Sequence, residues 1–205
     1  MDEGKALVTA ARMSIEQYIK NPTFDHSQIK GGIRNFNRND GIFVTLEKYP
    51  SKELRGCIGF PWDGALINDT LVEATIAAAF QDPRFDPVSK KELDKLTIEI
   101  SILSQPVIID GNASKRKASV KVGRDGLIVE YGVYSGLLLP IVPVERGWDV
   151  NRFMEETCMK AGLPETYWRQ QNVRLWKFES QIFREEAPGA KVIEVNLSHL
   201  FRVLQ

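Results

Sequence analysis

Residues 54–60 read LRGCIGF, with an arginine and a cysteine two positions apart and glycines at 56 and 59. A guanidinium beside a thiol favours the thiolate, the form that acts as nucleophile or metal ligand. Two glycines in four residues weaken a strand and leave nothing to pack, so they mark a close approach of some other group to the backbone. If the segment is extended, alternation places Leu54, Gly56, Ile58 and Phe60 on a core face and Arg55, Cys57 and Gly59 on the other. One reading is a cleft in which Cys57 is the reactive group, Arg55 favours its thiolate, and Gly56 and Gly59 leave room for a small molecule. The other is a buried thiol packing as a hydrophobe, with Arg55 paired to a carboxylate.

DPRF at 82–85 adds Asp82 and Arg84, which the chain order brings toward the same edge, with Arg55 and Arg84 together suited to orient an anionic portion of a ligand. The alternative for this stretch is structural: Asp82 and Pro83 stop a helix and Phe85 plugs the core. Glu145, Trp148 and Asp149 occupy the equivalent place in the second half of the chain. Across a cleft, Glu145 would be a general base or the partner of Arg55. Lys160 is read as a helix C-terminal cation, and Cys158, Trp168 and Trp176 as core. The basic stretch SKRKASVKVGR lacks the interleaved aromatics that stack bases. It is expected to be an exposed hairpin or loop that guards against aggregation, not a nucleic-acid site.

Several classes drop out on composition. The 205 residues carry 27 basic and 27 acidic side chains, which gives no global attraction to nucleic acid or anionic lipid. No apolar run has membrane-spanning length. His26 and His199 lie away from ligand spacing to Cys57 or Cys158, so no metal site is assigned and the cofactor stays open. Neither a P-loop nor a dinucleotide-binding glycine motif is present. Two distant cysteines, read as reduced thiols, place the protein in the cytoplasm.

The elements that must position these residues repeat. A helix over 3–20 and a polar loop over 21–40 come first. Strands at GIFVTLEKY and LRGCIGF, a helix from about 64 to 81, a short helix in SKKELDKL and a strand at TIEISIL follow. From Gly126 the order returns: strands at GLIVEYG and GLLLPIVP, a helix over 150–161, a short helix in PETYWRQ and a long strand in VRLWKFESQIF. Trp-Asp precedes both main helices, with Asp63 and Asp149 as caps and Trp62 and Trp148 stapled to Ile67 and Phe153. The expected fold is α+β, two β-β-α-α-β repeats forming a curved, barrel-like, mostly antiparallel or mixed sheet with helices outside. A single domain over 1–205 would contain halves at about 1–110 and 120–190, linked by residues 106–124, with 191–205 as a C-terminal extension.

LRGCIG at 54–59, DPRF at 82–85, EISIL at 99–103, GLLLP at 136–140, GWD at 147–149 and KAGLP at 160–164 together resemble the AMMECR domain family, in the family's order and over about 40–185. The resemblance implies a two-repeat α+β domain around a barrel-like sheet and assigns no reaction. It also implies association with Memo-type or radical SAM-type proteins, beside which relatives are encoded or to which they are fused, and so a modification pathway. Many family members are similar to GxHG where this chain has GRDG, so Asp125 stands in place of a histidine. A non-catalytic module that binds protein or nucleic acid is the alternative to a small-molecule cleft.

Overall fold

The computed structural model describes residues 3–62 and 64–204. The chain divides into two compact units, one of Met1–Leu103 with Gln181–Val195 and one of Ser104–Ser180 with Asn196–Gln205. In chain order, α1 (Glu3–Lys20), α2 (Ser27–Gly32), β1 (Gly41–Lys48), β2 (Glu53–Phe60), α3 (Ile67–Phe80), α4 (Lys90–Leu93) and β3 (Leu96–Leu103) lie in the first unit. Next come β4 (Val107–Ile108), α5 (Ala113–Ser119), β5 (Asp125–Tyr131), β6 (Tyr134–Leu138), α6 (Ile141–Glu145), α7 (Val150–Lys160) and a 3-10 turn at Tyr167–Arg169. The long strand β7 (Arg174–Glu185) passes from the second unit to the first, followed by β8 (Val192–Glu194) and α8 (Leu197–Leu204). The fold is α+β, as expected, and every strand pairing with a defined register is antiparallel.

In the first unit the strand order is β2-β1-β3-β7, with β8 also on β7. Ile42, Val44 and Leu46 of β1 and Ile98, Ile100 and Ile102 of β3 form one apolar face, the consequence of period-two alternation. They pack under α3, which is buried on nearly every side, and α1, whose stripe of Leu7, Val8, Ala11 and Ile15 is fully covered. α3 stops where Gln81 meets Asp82-Pro83, since a residue before proline is driven out of the helical region. Arg12 of α1 crosses to Glu185 of β7, whose carboxylate also accepts from the Ile98 amide at 3.0 Å.

In the second unit the order is β6-β5-β7. α7 covers it, and Phe153, Met154 and Cys158 meet Leu127, Val129, Leu175 and Trp168 in a separate core. Both units therefore show a hairpin, a covering helix, and a strand that returns to the far side of the hairpin's first strand.

Local expectations fare unequally. Asp149 caps α7 by accepting from the Arg152 amide at 2.8 Å, and Trp148 packs on the core cluster that holds Phe153. α3 starts at Ile67 behind Leu66 with no side-chain cap, so the matched helix starts do not survive, and Asp63 lies outside the described residues. Trp62 takes φ +46°, a left-handed conformation that bulky residues rarely adopt. The segment expected as a charged hairpin is helix α5, and Arg116 within it is buried. Trp176 is half-buried rather than core, with Arg174 over its ring at 5.3 Å. The loop over 21–40 holds α2, and residues 192–204 hold β8 and α8.

Candidate functional site

Arg55 does not share a face with Cys57. The β1–β2 register pairs Leu46 with Gly56 and Glu47 with Leu54, so Arg55 is the extra residue of a β-bulge. The bulge resets alternation: Leu54, expected in the core, is 40% exposed, and Arg55 is buried. Its guanidinium pairs with Glu92 of α4 and donates to the Asp86 carbonyl at 2.7 Å. Arg55 holds the Glu92 carboxyl below its ordinary value, while Glu92 completes a capping box with Ser89. Arg55 is a structural strut, and its assigned role in favouring a thiolate is corrected.

The glycines have packing partners of their own. A Cβ at Gly56 would lie 2.2 Å from the Ala78 carbonyl oxygen of α3. One at Gly59 would lie 2.4 Å from the ring of Phe43. The group that comes close to this backbone is the covering helix on one face and an aromatic ring on the other. Because the Ala78 contact is backbone, Gly56→Ala is expected to cost about 3 kcal/mol in chemical denaturation, by forcing α3 off the sheet.

Cys57 itself is held by DPRF. β2 is an edge strand, so at alternate residues its amide and carbonyl point away from β1. Asp82 accepts from the Cys57 amide at 2.9 Å, and Arg84 donates to the Cys57 carbonyl at 3.1 Å. Arg84 also donates to both Asp82 oxygens, and the Asp82 carboxyl is thereby held well below the usual range. The Arg84 side chain remains 52% exposed, and its Nη1 has no partner among the described residues. Phe85, expected to plug the core, is half-buried with both the Arg84 and Arg55 guanidiniums near its face.

The Cys57 thiol lies on the face away from α3. Thr45, its cross-strand neighbour, donates its hydroxyl to the sulfur at 3.3 Å, and Glu99 is the next residue in the row, paired with Arg184. Burial pushes the Cys57 thiol up; the Thr45 hydroxyl and Arg84 oppose this, while Glu99 and Asp82 add to it. Burial thus disfavours the thiolate at this position.

A profile of the AMMECR1 family matches residues 8–183. The chain belongs to the AMMECR1 family. Protein MJ0810 of Methanocaldococcus jannaschii is 46% identical over 198 residues, spanning 96% of this chain and 97% of that protein. Protein PH0010 of Pyrococcus horikoshii is 46% identical over 192 residues, 92% and 93% of the two chains. The crystal structure of PH0010, described as uncharacterised, superposes with a TM-score of 0.88 over 95% of this chain and 97% of that one.

The remaining AMMECR1 candidates lie in the second unit. Glu145 ends α6 exposed to solvent, Trp148 is half-buried against the α7 core, and Asp149 is a helix cap. Lys160 ends α7, where Gly162 at φ +76° lets the Leu163 amide return to the Cys158 carbonyl. Asp125 is buried, accepts from the Lys121 amide at 2.8 Å and pairs with Arg124. That carboxylate is already spoken for by its own turn. Sequence reasoning missed Thr45, Glu99 and Arg184. The signal was Thr97, Glu99 and Ser101, polar residues interleaved with the isoleucines of TIEISIL, which marks a second face that is polar yet buried.

No helix among the described residues is long and apolar enough to cross a membrane. No group of three or more His, Cys, Asp or Glu side chains is placed to hold a metal ion among them either.

Proposed function

We propose that the Cys57 face of the first unit binds a small molecule or a modified group, with Arg84 as the anchor for an anionic portion and Cys57 as a neutral contact. The observation that carries this reading is the clamp on the Cys57 peptide. Both its amide and its carbonyl are tied to DPRF, which fixes the Cys57 peptide beside a half-exposed guanidinium whose Nη1 has no partner among the described residues. Such pre-organisation suits binding, because the ordering cost is met in the fold. A nucleophilic role is disfavoured, since the strongest influence on the thiol is burial and Arg55 is turned away. The modification pathway implied by the family's Memo-type and radical SAM-type neighbours is compatible with such a module. The shared strand order of the two units is further read as an ancestral duplication.

Alkylation by iodoacetamide tests the reading, followed at each cysteine by mass spectrometry from pH 6 to 10, with and without inorganic phosphate. Cys57 should react slowly near neutrality, with a rate that climbs above the ordinary thiol range. Phosphate should slow it in the native chain but not in Arg84→Ala. Cys158, whose thiol burial pushes up to about 11, should react only on unfolding. A Cys57 rate already at plateau by pH 7 would restore the nucleophile. Absence of Cys57 modification short of denaturation would sink the binding site and leave a macromolecular docking module in its place.

A further inference from the structure

LRGCIGF has a second face. Gly56, Ile58 and Phe60 turn toward α3, away from Cys57, and Phe60 is only half-buried against the first-unit core. Beside Phe60 lies a cleft of about 370 Å³ whose lining belongs wholly to the first unit. Ile76 and Ala77 of α3, all but covered, form its base. Tyr18 of α1 lines it too, and its ring stacks on Phe80 with centroids 4.4 Å apart, which fixes its place. The exposed side chains of Glu73 and Gln81 stand at the rim, together with half-buried His26.

The electrostatics of this cleft have one sign. Glu73 is an exposed carboxylate on α3, and nothing pairs with it among the described residues. Asp69, one turn earlier, is taken by Lys30 at 3.3 Å. No lysine or arginine lines the cleft among the described residues, and Lys20, two positions past Tyr18, lines a different cleft against α4. Two helices also end here. The 18-residue α1 stops at Lys20, just past Tyr18, and the 14-residue α3 stops at Phe80 with Gln81 as its C-cap. The last turn of a helix carries partial negative charge on its outward carbonyls, so both ends favour a cation. The rings of Tyr18 and Phe60 attract a cation over their faces in the same sense.

We infer that this cleft is a second ligand site, for a free organic ammonium ion: an amine or quaternary ammonium with an aromatic or aliphatic body. The cationic head meets Glu73 at the rim, and the body lies on Phe60, Ile76 and Ala77. The site is independent of the Cys57 face, which offers a guanidinium and takes the opposite charge. For a cation of roughly ten heavy atoms in a partly open cleft, a Kd of about 1 mM is expected.

Titration of the full chain with benzyltrimethylammonium, followed by two-dimensional amide NMR, tests this. The amides of Ile76, Ala77 and Gln81 should shift and saturate with a Kd of about 1 mM. Phenylacetate, a similar ring with the opposite charge, should bind at least about tenfold more weakly. Glu73→Gln keeps the shape, breaks no contact among the described residues, and should weaken the cation about threefold to fivefold. Arg84→Ala should leave the Kd unchanged; a change as large as that of Glu73→Gln would put the probe on the Cys57 face and overturn the inference. Nα-acetyllysine methylamide should bind more weakly than the probe, and tighter binding would assign the cleft to a protein's lysine side chain instead. Failure to saturate by about 20 mM, equal affinity for phenylacetate, or an unchanged Kd in Glu73→Gln would each overturn the inference as well.

Discussion

Replacing Arg116 by methionine should lower stability by about 3–5 kcal/mol, whereas Lys115→Ala and Lys117→Ala should each stay within about 0.5 kcal/mol. The three residues are near neighbours in one basic run, and their sequence context does not separate them. Their surroundings do. Arg116 is buried, and its guanidinium donates to the carbonyls of Trp168, Gln170 and Val173 at 2.8, 2.9 and 2.8 Å. Those carbonyls belong to the turn between α7 and β7, which has little regular structure of its own. Arg116 supplies the donors that a helix or strand would otherwise provide. Among the described residues no carboxylate pairs with the guanidinium, and burial lowers its pKa, with Asp110 opposing that shift.

The cost on removal is therefore that of orphaned acceptors more than of a lost ion pair. Arg116→Lys should recover less than half of it, since a single ammonium cannot span three carbonyls. Urea denaturation of the four variants checks the series, and equal midpoints for Arg116→Met and Lys117→Ala would refute the clamp. The same contact explains why the segment is a poor nucleic-acid site: its central cation faces inward.

How far the sequence could be read depended on whether a residue's fate was decided by periodicity or by a distant partner. β1 and β3 were legible because Ile42, Val44 and Leu46 and Ile98, Ile100 and Ile102 alternate without interruption. α7 was legible through Asp149, which caps the helix it precedes. LRGCIGF was half legible. Alternation holds from Gly56 to Phe60 and fails at Arg55, since a bulge is set by how β1 is matched from the other side. The attraction of Arg55 to Glu92 spans 37 positions and leaves no local trace. The glycines were right as a signal of close approach and misleading as a signal of ligand, because a helix carbonyl needs the same space as a substrate. DPRF reads as a helix stop in sequence; that it also seals the edge at Cys57 shows only when β2 is known to be an edge strand.

Because of that seal, the loss of Asp82 should be felt both in stability and in the placement of the Cys57 peptide. Asp82→Ala removes the acceptor of the Cys57 amide and the carboxylate that orients Arg84, and should cost about 2–3 kcal/mol, as buried hydrogen bonds to a charged group do. Its pH dependence has a definite sign. Arg84 lowers the Asp82 carboxyl below its unfolded value, so the folded state prefers the ionised form. That stabilisation is complete above the ordinary aspartate range near pH 4 and is lost progressively as pH falls below it toward the depressed folded value.

The native protein should therefore lose stability through acid titration, and Asp82→Asn, which keeps the shape but not the charge, should show a shallower loss. Glu92 contributes in the same direction, which is why the comparison must be a difference between variants and not the native curve alone. A local readout separates the clamp from general destabilisation: the Cys57 amide should exchange at least about tenfold faster in Asp82→Ala, while core amides of β1 change only by the global amount. If the Cys57 amide is no better protected in the native chain than in the variant, Asp82 does not hold it. The thiol would then lack the fixed placement on which the binding reading rests.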